Sequence, residues 1–180
     1  MRIISGKFKS RRLQAPKGLP VRPTTDMAKE ALFNIINNLY YFHDIKVLDL
    51  FSGTGNISFE FASRGTTNIT AVDLHFGCVK YIKRISDELE FNIATIKSDV
   101  FKYLKKTPEK FDVIFADPPY KFEQEKFENL IDLIFDQELL EENGLFILEH
   151  STYTKLENHP HFSYSKKYGG NCFSFFTLPE

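Results

Sequence analysis

Two groups of residues in this 180-residue chain have the types and spacing to do chemistry. The first is Asp117-Pro118-Pro119-Tyr120, which directly follows the apolar run Asp112-Val113-Ile114-Phe115-Ala116. Proline has no amide to give a sheet ladder, so Pro118 ends a strand or sits just beyond it. Each proline fixes its own φ and restricts the residue before it, which stiffens the peptide. A stiff Asp-Pro-Pro aims two acceptors, the Asp117 carboxylate and the Pro118 carbonyl, at one place, and Tyr120 sets a ring face beside it. Two acceptors and a ring suit a planar group that carries an NH2, such as a nucleobase. A proline-rich turn with aspartate as a turn residue is the simpler reading of the same four residues.

The second group is Asp49-Leu50-Phe51-Ser52-Gly53-Thr54-Gly55-Asn56 together with Asp73 and Asp99. Glycines between a strand and a helix let the backbone approach a ligand closely and can expose amides at the helix amino end. A dinucleotide site asks for G-x-G-x-x-G, whereas only Gly53 and Gly55 are present. Asp49 also suits a cationic or amino-bearing ligand better than a pyrophosphate. Asp73 is positioned to accept hydrogen bonds from ribose hydroxyls, and Ser98-Asp99-Val100 offers a carboxylate to an amino group such as that of adenine. Any one of these aspartates is commonly a turn or cap residue. Four at consecutive strand ends describe one carboxylate-lined crevice, which suits the ammonium, sulfonium, ribose diol and adenine of S-adenosylmethionine.

The elements that would position these groups alternate from residue 46 onward. Short apolar strands fall at 47–50, 69–73, 93–96, 113–116 and 145–149, and helices at 54–64, 77–91, 99–106 and 124–136. Such alternation specifies an α/β fold, with a parallel sheet covered on both faces. Two more strands, near 162–168 and 172–178, have no helix between them and should form an antiparallel terminal hairpin. Upstream, Thr24 or Thr25 caps a helix with Asp26 in its first turn, and Ala28, Leu32, Ile35, Ile36 and Leu39 recur on one helical face. Residues 2–13 read as a short hairpin about Ser5-Gly6 with a basic face.

Length and composition bound the rest. Hydrophobic content of 42% and charged content of 26% are those of a soluble globular protein, and 180 residues make one domain. No apolar run approaches the ~20 residues that span a bilayer. An amino terminus followed by charge and two cysteines, Cys78 and Cys172, point to the cytoplasm. His159-Pro160-His161 and these cysteines match no metal-ligand spacing, so no metal is expected. The net charge is −1, yet residues 1–30 hold Arg2, Lys7, Lys9, Arg11, Arg12, Lys17, Arg22 and Lys29 against Asp26 and Glu30. A basic arm on an acidic body points to a polyanion docking at one end, or to a solvated basic tail.

Taken together these residues resemble the class I S-adenosylmethionine-dependent methyltransferases, and more narrowly the RsmD family. The resemblance runs nearly the whole length: Met1-Arg2-Ile3-Ile4-Ser5-Gly6-Lys7-Phe8, Arg11-Arg12-Leu13, Arg22-Pro23-Thr24-Thr25-Asp26, Lys29-Glu30-Ala31-Leu32-Phe33-Asn34-Ile35, Val47 to Gly55, Ser63-Arg64-Gly65, Asp117 to Tyr120, and Tyr168-Gly169-Gly170. It implies a Rossmann-like, seven-stranded, mostly parallel sheet in a single domain, residues 1–180, with residues 1–23 as a basic RNA-binding appendage. It implies transfer of a methyl group from S-adenosylmethionine to the N2 amino group of one guanine in 16S ribosomal RNA, within the small subunit or an assembly intermediate, by a monomer. Asp117, Pro118, Pro119 and Tyr120 would be catalytic. Asp49, Phe51, Gly53, Gly55, Asp73, Asp99, Val100 and Thr25 would bind the cofactor, and Arg2, Lys7, Lys9, Arg11, Arg12 and Arg22 the RNA. Two positions depart from the family pattern: Met27 replaces a basic residue, and the second-strand acid is Asp73 before Leu-His-Phe rather than glutamate.

Asp-Pro-Pro-Tyr is shared with adenine-N6 methyltransferases, so methylation of adenine in DNA or RNA, or of protein, is a second reading. A non-catalytic RNA-binding module and a nicotinamide-dependent oxidoreductase are the third and fourth. The intact tetrapeptide disfavours the module, and the missing third glycine disfavours the oxidoreductase.

Overall fold

The computed structural model describes residues 1–21 and 24–179. Within them seven strands form one sheet: β1 (Lys46–Leu50), β2 (Asn68–Asp73), β3 (Ile93–Lys97), β4 (Phe111–Ala116), β5 (Leu140–Ser151), β6 (Phe162–Tyr168) and β7 (Asn171–Thr177). Their order is β3-β2-β1-β4-β5-β7-β6. β1 to β5 pair in parallel, and β7 lies antiparallel between β5 and β6. The chain winds outward from β1 to β3, then crosses to β4 on the other side of β1. That reversal leaves a crevice beyond the carboxyl ends of β1 and β4.

Among the described residues five helices flank the sheet: α1 (Asp26–Leu39), α2 (Asn56–Ser63), α3 (Phe76–Leu89), α4 (Val100–Leu104) and α5 (Gln124–Asp136). Alternation along β4 divides the core. Ile114 and Ala116 face Leu130, Ile131 and Ile134 of α5, while Val113 and Phe115 face Leu32, Phe33 and Ile36 of α1. A third cluster joins Ile3 and Leu13 to Phe59 of α2 and to Tyr81, Ile82 and Ile85 of α3. The mixed sheet and its two helical layers match the expected α/β fold, and α5 has its expected bounds. Among the described residues, no helix is long and apolar enough to cross a membrane.

Thr25 caps α1 by accepting the Ala28 amide at 3.3 Å. The buried stripe of α1 is Ala28, Lys29, Leu32, Phe33 and Ile36 rather than the expected set. Leu39, the last residue of the helix, is 56% exposed.

The amino-terminal segment departs further from expectation. Among the described residues this segment forms a single antiparallel bridge, Arg2 with Arg12, although Ile3 donates to the Arg11 carbonyl at 3.0 Å and Leu13 to that of Met1 at 2.9 Å. The reversal occupies residues 4–10 instead of a tight turn at Ser5-Gly6, because α2 takes the backbone groups that would pair across one. Glu60 accepts the amides of Ile4 and Ser5 at 2.9 and 3.1 Å, and the Ser63 carbonyl accepts that of Lys7 at 2.7 Å. A side chain at Gly6 (φ +84°) would put its Cβ 1.8 Å from the Ser63 carbonyl oxygen.

Lys29, one of the basic residues of the first thirty, is only 1% exposed and pairs with the fully buried Glu60 at 3.2 Å. Its Nζ also donates to the Arg2 carbonyl (2.7 Å) and to Asn56 Oδ1 (2.8 Å). Arg64 Nε completes the cluster on Glu60 Oε1 at 2.9 Å. Burial pushes the Lys29 pKa below its ordinary value, against the pull of Glu60. Removing one partner of a buried pair strands the other charge, so Lys29→Ala should cost about 3–5 kcal/mol in urea unfolding. The exposed Lys83–Asp87 pair is the control: Lys83→Ala should cost less than about 1 kcal/mol.

Candidate functional site

The strand ends bring Asp49, Phe51, Gly53, Asp73, Asp99, Val100 and Asp117 to Tyr120 around one crevice of about 1280 Å³. Asp49 is fully buried, and its Oδ2 accepts the Ser58 hydroxyl at 2.5 Å and the Ser58 amide at 3.2 Å. Burial lifts its pKa to about 7 despite those two bonds. Asp73 is oriented by two amides, that of Gly53 on Oδ2 and that of His75 on Oδ1, both at 2.8 Å. Asp99 caps α4 by accepting the Lys102 amide at 3.0 Å. The Gly55 amide donates to the Ser52 carbonyl at 2.8 Å. The amides of both glycines are thus taken within the protein rather than offered to a phosphate, while five carboxyl groups, those of Asp49, Asp73, Asp99, Asp117 and Glu149, line the crevice. The lining fits a ligand with cationic, amino and hydroxyl groups.

Two turn positions show how the backbone shapes the crevice. Phe51 is a non-glycine residue at φ +54°, a conformation that persists where surrounding structure over-determines it, commonly at ligand sites. Its ring packs edge-on against Phe122 at 5.6 Å, and Phe122 stacks with Phe101 at 6.2 Å. These rings and Asp99 line an adjoining cavity of about 410 Å³. Gly55, expected to bind the ligand, is not on the crevice wall. It caps α2 at φ +78°, where a Cβ would meet Ile82 at 2.9 Å and the Phe59 ring at 3.0 Å, so it admits α3 against α2.

Asp117 follows β4 and its amide reaches the Leu50 carbonyl at 3.4 Å. Pro118 is buried, whereas Tyr120 is 88% exposed at the rim. Thr25, also expected at the cofactor, is the exposed cap of α1 and does not line the crevice; Thr24 does. Thr24 Oγ1 donates to Glu149 Oε2 at 2.7 Å, and its carbonyl accepts the Asn56 amide group at 3.2 Å. Asn171 Nδ2 donates to Glu149 Oε1 at 2.8 Å. Beside them His150 Nε2 lies 2.7 Å from Ser174 Oγ, and burial lowers its pKa. Sequence reasoning missed Thr24, Asn56, Phe101, Phe122, Tyr153 and Asn171 as lining residues. The adjacent Thr-Thr pair was the signal for the first, and Glu149-His150 at the end of a strand was the signal for that corner.

Arg2, Lys7, Lys9, Arg11 and Arg12 are exposed on the amino-terminal segment, outside the crevice. Arg2 pairs with Asp26 at 3.0 Å and Arg11 with Glu88 at 2.5 Å. Arg22 lies outside the described residues. Lys29, being buried, does not belong to this basic surface.

The sheet order and a crevice at its switch point define a class I, S-adenosylmethionine-dependent methyltransferase fold. A family model described as "conserved hypothetical protein 95" matches residues 1–177. A provisionally named rRNA methyltransferase of Bacillus subtilis, YlbH, is 37% identical over 87% of this chain and 85% of its own. Ribosomal RNA small subunit methyltransferase D of Buchnera aphidicola is 33% identical over 89% and 81%. A solved structure from Escherichia coli, the provisionally named methyltransferase yhhF, superimposes with TM-score 0.85 at 27% identity over 98% of this chain and 96% of that one. The Thermus thermophilus 16S rRNA N2 G1207 methyltransferase RsmC, solved with AdoMet and guanosine, shares the fold at TM-score 0.69 and 20% identity over 90% of this chain and 46% of that one. The chain belongs to the RsmD family of methyltransferases, and its cofactor is S-adenosylmethionine.

Asp49 supplies a test of the crevice electrostatics. A carboxyl with a folded pKa near 7 and an ordinary unfolded value contributes stability below the unfolded pKa, and that contribution is lost as pH rises through 7. Asp49→Asn removes this dependence. Its unfolding free energy, measured against wild type, should rise from pH 5 to pH 8; a constant difference would show that Asp49 does not titrate in this range.

Proposed function

We propose that the chain methylates the N2 amino group of a guanine in 16S ribosomal RNA, acting on the small subunit or an assembly intermediate. The observation that carries this reading is Asp117-Pro118-Pro119-Tyr120 at the end of β4, on the wall of the crevice that Asp49, Asp73 and Asp99 also line. The names of the relatives supply the RNA, and the guanosine-bound neighbour supplies the N2 position.

In this reading Asp49, Phe51, Gly53, Asp73, Asp99 and Val100 hold the cofactor, which supplies an electrophilic methyl group on sulfonium. The guanine N2 lone pair is delocalised into the ring and is a poor nucleophile. The Asp117 carboxylate and the Pro118 carbonyl accept its two N–H bonds, which favours a pyramidal nitrogen and aims the lone pair. Acceleration comes mainly from positioning and electrostatics. The nitrogen, cationic once it gains the methyl group, loses its proton late, and Asp117 relays that proton to solvent. Tyr120 stacks on the base, which must leave its own stack to arrive. Arg2, Lys7, Lys9, Arg11, Arg12 and Arg22 hold phosphates and set register rather than read sequence. The whole chain works as one catalytic domain whose first 23 residues form this RNA face, and a single copy suffices.

Labelled S-adenosylmethionine should be offered with undermethylated small subunits, naked 16S RNA and duplex DNA in parallel. N2-methylguanosine from the subunit or its RNA is the expected product; label in N6-methyladenine, or in DNA alone, overturns the assignment. Asp117→Ala should lower kcat by roughly a hundred-fold or more while leaving cofactor affinity near wild type. Equal losses in both would remove Asp117 from its role. Arg11→Ala with Arg12→Ala should weaken RNA binding and flatten its slope against log salt by about one unit for each phosphate no longer neutralised.

A further inference from the structure

The corner of the crevice beyond β5 carries a group that the reaction as described leaves unused. Of the large apolar side chains exposed among the described residues, Tyr120 and Tyr153 are the most open, at 88% and 89%. Both line the crevice. They issue from neighbouring strands: β4 and β5 pair in parallel with Ala116 opposite Leu148, and Tyr120 lies 4 residues beyond Ala116 while Tyr153 lies 5 beyond Leu148. Parallel neighbours lie about 4.8 Å apart, so the two loops rise side by side at the mouth.

The loop that carries Tyr153 is anchored. Its amide donates to Ser151 Oγ at 3.2 Å, and the Thr154 amide to the Ser151 carbonyl at 3.1 Å. Gln124 of α5 holds the far side, donating to the Lys155 carbonyl at 2.6 Å and accepting its amide at 3.3 Å, and Leu156 is buried in the core. An aromatic ring held out to solvent on a braced loop forgoes the burial that aromatic rings usually gain. Beside a crevice that takes a nucleobase, such a ring is a stacking platform, since every base offers a π-face.

We propose that Tyr153 stacks on the unpaired base that enters the crevice, taking the face opposite Tyr120. The inference rests on the reading of the crevice as a nucleobase site, and extends it to a residue outside the Asp-Pro-Pro-Tyr loop. Tyr153 is a positioning residue: it holds the base in place while Asp117 and Pro118 hold its amino group.

The test is steady-state methylation of undermethylated small subunits by wild type, Tyr153→Ala, Tyr153→Phe, Tyr120→Ala and the double alanine variant. Tyr153→Ala should lower kcat/KM by roughly ten-fold or more, the size of one stacking contact, and Tyr153→Phe should stay within about two-fold of wild type. Melting temperature and S-adenosylmethionine affinity should not move, because the ring is solvent-exposed. Two rings on one base are coupled, so the double variant should lose less than the product of the single losses. Unchanged kcat/KM in Tyr153→Ala, equal damage in Tyr153→Phe, or strictly multiplicative losses would each overturn the proposal. The nucleoside that carries the label reports separately on the proposed function: label in adenine would end the guanine assignment while still testing Tyr153, and no transfer would end both.

Discussion

A lysine ammonium and a glutamate carboxylate buried together are costly unless every remaining proton and lone pair is satisfied. Lys29 and Glu60 meet that condition through both backbone and side chains: the Arg2 carbonyl and Asn56 Oδ1 on one side, the amides of Ile4 and Ser5 and the Arg64 guanidinium on the other. The pair therefore cannot form without the amino-terminal segment, α1 and α2 in their places. From it a line of hydrogen bonds runs inward: Asn56 donates to the Thr24 carbonyl, the Thr24 hydroxyl donates to Glu149, and Glu149 also accepts from Asn171 on β7. The start of α1 is thereby held over the crevice, and the segment bearing the basic residues is tied to the same frame as the strand ends.

The crevice is defined as much by what its backbone withholds as by what its side chains offer. A glycine turn before a helix is ordinarily read as an anion cradle, since free amides and the helix dipole favour negative charge. Here the Gly53 amide goes to Asp73 and the Gly55 amide to Ser52. What remains facing the cavity is carboxylate, and a buried Asp49 whose ionised form is disfavoured until a cation arrives. The same β-turn-α geometry that elsewhere holds pyrophosphate is turned by its hydrogen bonding toward a ligand of opposite charge.

On the outer surface the charges are exposed and lightly paired. Arg2 and Arg11 make ion pairs that are about half-exposed, which are weak and which competing phosphates can replace. In the proposed reading, phosphates take over these guanidinium groups while Ile3 and Leu13 keep the segment seated on α2 and α3. A segment fixed in this way can set register between an RNA backbone and a crevice elsewhere on the domain.

Much of this protein was legible before folding. Alternating apolar runs and helical spacing are local properties, so the seven strands, the bounds of α5 and the strand-end positions of Asp49, Asp73, Asp99 and Asp117 could be read along the chain. The stiffness of Asp-Pro-Pro is local too. Other features depend on partners distant in sequence. Lys29 read as one charge of a basic arm, and only packing against Glu60 made it a core residue. Thr24 and Thr25 have the same chemistry, and the direction in which α1 enters decided that one caps the helix and the other faces the crevice. A turn at Ser5-Gly6 was lost because α2 competed for its amides. Glu149-His150 marked the strand end near Tyr153, but only the pairing of β5 beside β4 set that ring at the crevice. Sequence by itself determined which elements form and which carboxylates end them, since those follow from backbone geometry and spacing. Tertiary structure decided which charges are buried, which amides are spent and which rings share the crevice, because each of those is a contact between residues that only the fold brings together.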